Sequence, residues 1–89
     1  MTEIEIIYTY VFENKQLLKR YQNCICLYCG KTFPFEKITE WVQDRNEKTA
    51  ICPFCYVDAV VPKKVENKVD HFEVTKELQE KIKKIYLGG

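Results

Sequence analysis

From Ile4 to Phe12 apolar and polar positions nearly alternate. Ile4, Ile6, Tyr8, Tyr10 and Phe12 share one side, while Glu3, Glu5, Thr9 and Glu13 lie opposite with Ile7 and Val11. That period of two predicts a strand. Asn14 follows as the predicted N-cap of a short helix reaching about Tyr21, in which Leu17, Leu18 and Tyr21 form an apolar stripe at three- and four-residue spacing. Residues 24–33 predict a turn between two short strands. From Pro34 to Asp44 the spacing becomes helical. Proline at the first helical position, Glu36 in the first turn and apolar Phe35, Ile38, Trp41 and Val42 on one side predict a helix, ended by polar Arg45–Lys48.

A second turn is predicted between Thr49–Ile51 and Tyr56–Val61, and the β-branched residues of the exit side favour a strand. Pro62–Lys68 is predicted as a charged loop and Val69–Val74 as a strand. Thr75 is expected to cap a last helix to about Leu87, with Leu78, Ile82 and Ile85 as its buried stripe. Gly88-Gly89 is expected to fray. Nothing divides the chain, so residues 1–89 are expected to form one domain, with 1–22 and 69–87 flanking a central 24–61.

A chain of 89 residues buries only about 60–65% of its unfolded surface, which leaves a thin margin of stability. Such scaffolds usually carry a staple. The 46% hydrophobic and 13% aromatic content is that of a folded globule. The formal net charge is +1, and four thiolates around one divalent ion would move it to −1. Neither value suits a protein held to nucleic acid by charge alone. Met1-Thr2-Glu3-Ile4-Glu5 has no basic leader character, and no apolar run approaches the ~18 residues of a membrane span. The expected compartment is therefore the reducing cytoplasm, with no membrane association.

In that compartment the five cysteines read as ligands before disulfides. Cys26-Leu27-Tyr28-Cys29 and Cys52-Pro53-Phe54-Cys55 are two C-x-x-C knuckles with 22 residues between them. Two residues inside each pair let the backbone turn tightly and aim both sulfurs at one point. Two such turns supply the four thiolates of a tetrahedral zinc site. The spacer exceeds the common ribbon length of about 15–20 residues, and the predicted helix over 34–44 accounts for the excess. The expected fold is thus α+β: a small zinc ribbon with a helix inserted between its knuckles and flanking helices. A single C-x-x-C beside a βαβ pattern would point to redox chemistry; this chain has neither feature. Four protein ligands leave no open position, so the expected zinc is structural and the metal-free chain is expected to be partly or largely unfolded.

Cys24 offers a different register, C-x-C-x-x-C. Cys26 is preferred because its knuckle then matches the second one and precedes Gly30, which can adopt positive φ and let backbone N–H groups approach sulfur. Cys24 is expected to be a small buried apolar residue. His71-Phe72-Glu73 has the H-x-E form of zinc deaminases, but the order of elements is reversed and the sulfurs already number four. A surface histidine is expected there. Trp41 is expected in the core. Tyr28, Phe54 and Tyr56, on or beside the knuckle tips, are the candidate contact surface, since aromatics are enriched at interfaces. Seven lysines after residue 60 are interspersed with five acids, which predicts a solvated face.

Residues 24–61 resemble a family of small bacterial and phage-borne proteins described as cytoplasmic proteins. The pattern is C-x-C-x-Y-C, then F and a helix E-I-x-x-W-x-D, then T-A-x-C-P-x-C-x-x-D. Here it falls on Cys24, Cys26, Tyr28 and Cys29, on Phe33, Lys37-Ile38, Trp41 and Gln43-Asp44, and on Thr49, Ala50, Cys52, Pro53, Cys55 and Asp58. The chain departs from it at Lys37, where the pattern has glutamate, and at Asp44, which comes one residue late. Tyr56 stands for the usual glycine and Ala59 for serine. A tyrosine at positive φ costs roughly 1 kcal/mol, so the second knuckle is expected to differ in shape from the first. The resemblance implies a zinc site and a cytoplasmic address, and brings no activity. No acid–base or nucleophile pair stands out, so no enzyme is expected. The favoured expectation is a zinc-stabilised protein-binding module, a regulator or inhibitor from a phage or mobile element. The alternative is a nucleic-acid-binding zinc ribbon, with Tyr28 or Phe54 stacking on bases and the C-terminal lysines meeting phosphates.

Overall fold

The computed structural model describes residues 2–88; Met1 and Gly89, the latter expected to fray, lie outside the described residues. The first segment is a helix, α1 (Glu3–Thr9), and not the predicted strand. The signal that prevails is local. Thr2 and Glu5 form a complete capping box, each side chain meeting the other's backbone N–H, and Glu3 and Glu5 sit in the first turn. The nearly continuous apolar run also satisfies helical spacing, which buries Ile7 and Val11 and leaves Phe12 exposed.

After α2 (Lys15–Tyr21), β1 (Asn23–Cys26) leads through the first knuckle into β2 (Thr32–Pro34). The predicted 34–44 helix is replaced by a 3-10 turn at Phe35–Lys37 and by β3 (Trp41–Gln43), which pairs with β4 (Lys48–Ala50) as a hairpin. Pro34 ends β2 in place of starting a helix, and the Phe35 N–H is drawn to the Gln22 carbonyl at 2.7 Å. Trp41-Val42 and Thr49 then supply aromatic and β-branched residues to the ladder. The long spacer between the knuckles is therefore filled by strands.

β5 (Val60–Pro62) leaves the second knuckle and pairs with β1, giving a sheet of order β2-β1-β5 with Cys24 opposite Pro62 and Cys26 opposite Val60. The predicted loop at 62–68 contains β6 (Lys64–Glu66), paired with β7 (His71–Glu73). Thr75 caps α3 (Lys76–Tyr86) by accepting from the Leu78 N–H. In α3 Ile82 is fully buried and Leu78 partly so, but Ile85 is 61% exposed. Gln79 faces inward with Ile82, and Tyr86 stacks on Tyr8 of α1 with centroids 4.2 Å apart.

One core joins Ile7 and Val11 of the α1 segment, Leu18 of α2, Ile25 and Leu27 around the first knuckle, Val60 and Val61 of β5, and Ile82 of α3. Asn14 lies at its centre with no exposed surface. It occupies the N-cap position of α2 but makes no capping hydrogen bond. Its amide instead donates to the Tyr10 and Val60 carbonyls at 2.9 and 2.7 Å, and its oxygen accepts from the Ala50 N–H at 3.1 Å. One side chain thereby ties the α1–α2 corner to β4 and β5, the strands that flank the second knuckle.

Candidate metal centre

Each knuckle is built by the same pair of backbone hydrogen bonds. In the first, the Gly30 N–H meets the Cys26 carbonyl at 2.9 Å and the Cys26 N–H meets the Lys31 carbonyl at 3.0 Å. In the second, Tyr56 N–H to Cys52 carbonyl and Cys52 N–H to Val57 carbonyl are both 3.0 Å. The turn closes with a residue at positive φ, +78° at Gly30 and +62° at Tyr56. The expected difference in shape is absent. Tyr56 adopts the left-handed conformation that glycine takes in the other turn, at a cost of roughly 1 kcal/mol.

The ladder between β1 and β5 places the two turns side by side, and the Leu27 N–H reaches across to the Ala59 carbonyl at 2.8 Å. The sulfurs of Cys26, Cys29, Cys52 and Cys55 then lie within 4.8 Å of one another, close enough to coordinate one metal ion. The shortest approaches run between knuckles: Cys26 to Cys55 at 3.6 Å and Cys29 to Cys52 at 3.8 Å. Cys26 and Cys52 are buried, Cys55 is half-buried against the core and Cys29 is exposed. Cys24 is a buried residue of β1, outside the cluster, as expected.

Burial pushes the Cys24 thiol up to about 12 and raises Cys26 as well, despite the N–H groups of Cys29 and Tyr28 that point at its sulfur. At Cys52 burial also acts upward. There the N–H groups of Cys55 and Phe54 outweigh it, together with the neighbouring thiols, and hold the group below its ordinary value. The Phe54 N–H is 3.4 Å from that sulfur. Burial raises Cys55, against a lowering contact from the Val57 N–H. Backbone donors aimed at sulfur favour the thiolate, the form that binds metal.

Sequence reasoning missed Gln79, which is 6% exposed. Its amide donates to the Leu27 carbonyl at 2.7 Å and lies 3.4 Å from that of Tyr28, so α3 grips the tip of the first knuckle. A Cβ at Gly30 would stand 3.0 Å from the Gln79 Oε1. The available signal was one polar residue interrupting an apolar helical face. Tyr28, Phe54 and Tyr56 are exposed, at 38%, 49% and 67%. Trp41 is half-buried on β3 against Phe35, with the Lys15 ammonium over its ring. His71 is exposed on β7, 3.5 Å from Glu66 and apart from the cysteines.

Fold and site together define a small α+β protein with two knuckled turns in a zinc-ribbon-like arrangement around a site able to hold one metal ion. No family model, curated protein or solved structure matches the chain. Among the described residues no helix is long and apolar enough to cross a membrane.

Proposed function

We propose that the bound ion is a structural Zn²⁺ and that the protein is a zinc-stabilised module binding another protein through its knuckle tips. A tetrahedron with Zn–S bonds of about 2.3 Å has edges of about 3.8 Å. The cross-knuckle separations of 3.6 and 3.8 Å suit that figure. Four thiolates close the coordination sphere and leave the metal a scaffolding role.

The observation that carries the binding role is the exposure of Tyr28, Phe54 and Tyr56 on two turns that one ion would stiffen. Phe54 leans on Phe33 with centroids 5.8 Å apart, which holds its ring in place. Aromatic side chains fixed in this way give contact area at little entropic cost. Against the nucleic-acid alternative counts the placement of Lys31 and Lys83, whose ammonium groups stand 4.8 Å over Phe54 and 4.9 Å over Tyr28. Base stacking needs a bare ring face.

Native mass spectrometry of protein purified without added metal is expected to find one zinc per chain. Cysteines oxidised in pairs, without metal, would overturn the site. A photo-crosslinking phenylalanine analogue at position 56 is expected to trap one defined protein, and Phe54→Ala is expected to suppress it. Equal trapping from exposed Val69 would overturn the knuckle-tip surface.

A further inference from the structure

A groove of about 570 Å³ runs between the first knuckle and α3, with Tyr28, Lys31, Lys76, Glu80 and Lys83 on its walls. Lys63 also borders it, but its ammonium donates to the Val74 carbonyl at 2.6 Å and pairs with Glu73 at 3.6 Å. Among the described residues, Lys31, Lys76 and Lys83 have no carboxylate partner within 4.0 Å. A protein of near-zero net charge thus gathers three unpaired lysines against one carboxylate, Glu80, on one concave surface.

Two of the three are also held in place. Lys31 and Lys83 rest over aromatic rings, which restrains long side chains that would otherwise lose rotamer freedom on binding. We propose that this groove receives an acidic segment of the protein partner, with Asp or Glu carboxylates meeting Lys31, Lys76 and Lys83. The proposal rests on the protein-binding reading given above.

Charge complementarity favours a peptide over a nucleic acid for two reasons. Tyr28, the ring on the groove wall, has the Lys83 ammonium over its face and is poorly placed to stack on bases. Glu80 sets one negative charge among the lysines. It opposes every anionic ligand alike, but a peptide can set a backbone N–H or a neutral residue opposite it, which an unbroken run of phosphates cannot.

Fluorescence anisotropy tests this directly on metal-loaded protein, with a fluorescein-labelled glutamate-rich octapeptide as the probe and an eight-residue oligothymidylate in parallel. Saturable binding of the peptide is expected. It should weaken about tenfold or more in the Lys31→Glu, Lys83→Glu double variant, and stay within about threefold in Lys31→Arg, Lys83→Arg. Metal content and circular dichroism check that both variants remain folded. No saturable peptide binding, or equal binding by the folded charge-reversed variant, overturns the proposal. Binding of oligothymidylate without binding of peptide overturns it in favour of nucleic acid. The two readings fail separately. A partner trapped at position 56 with equal yield in the charge-reversed variant would leave the knuckle-tip surface standing and remove the groove from it.

Discussion

Gly30 and Tyr56 hold the same place in two turns with matching hydrogen bonds, yet what lies behind each turn differs. The first knuckle is backed by α3, and Gln79 reaches in close enough that a Cβ at residue 30 would press on its amide oxygen. The second has its tip open to solvent, with Tyr56 67% exposed, and is secured at its stem by Asn14. Glycine therefore answers two demands at position 30, conformation and space. At position 56 only the conformational demand exists, and a tyrosine meets it with modest strain. A shared backbone shape does not imply a shared tolerance of side chains.

The largest test of this comparison asks whether the turns depend on one ion. Chelation, Cys26→Ser or Cys52→Ser should each abolish the cooperative unfolding transition, a loss on the order of 10 kcal/mol of apparent stability. Thermal denaturation followed by near-ultraviolet dichroism would show it. Retention of the transition in only one of the two serine variants would break the symmetry.

Next come the two supports. Asn14→Ala strands two buried backbone groups and a part-buried one and is expected to cost about 3 kcal/mol in urea denaturation, while Gln79→Ala should cost about 2. Hydrogen exchange should then rise around the second knuckle in the first variant and around the first knuckle in the second.

The third test exchanges the turn residues. Gly30→Ala should destabilise by about 2 kcal/mol, part of it recovered when Gln79 is also alanine. Tyr56→Gly should be neutral or stabilising by up to about 1 kcal/mol. Equal costs at the two positions would mean that α3 does not press on the first knuckle.

The smallest effect lies away from both turns. Burial, and then the 2.6 Å hydrogen bond to Asp70, raise the Tyr10 hydroxyl above its ordinary 10.0. A raised acid group stabilises the fold fully below its unfolded value and loses that contribution as pH climbs through the folded one. The stability difference between wild type and Tyr10→Phe should therefore be constant below about pH 10 and shrink above it.

What could be read from residue order follows how local each cause is. The cysteine spacing named the four clustered sulfurs, since a knuckle is specified within a few residues. The capped helix α3, α2 and the strands around the first turn were legible for the same reason. α1 was not, because an apolar run with both periods fits strand and helix alike, and only the Thr2–Glu5 box decides between them. β3 was misread because its partner, β4, arrives after a loop, and an isolated helical pattern yields to the ladder. Asn14 and Gln79 were invisible as supports. Their partners lie up to 52 residues away, and nothing in a single polar letter says which carbonyl it will meet.

The pairing of sulfurs across the knuckles also bears on the order in which the chain folds. Each turn is closed by hydrogen bonds between residues four or five apart and can form early, while β1 must find β5 across more than thirty residues. An ion caught by one turn carries two vacant coordination positions, and the other turn is the ligand that fills them. Metal capture would thus set the alignment of β1 on β5 before the rest of the core consolidates. Refolding rates should then rise with free metal concentration until capture ceases to be the slow step.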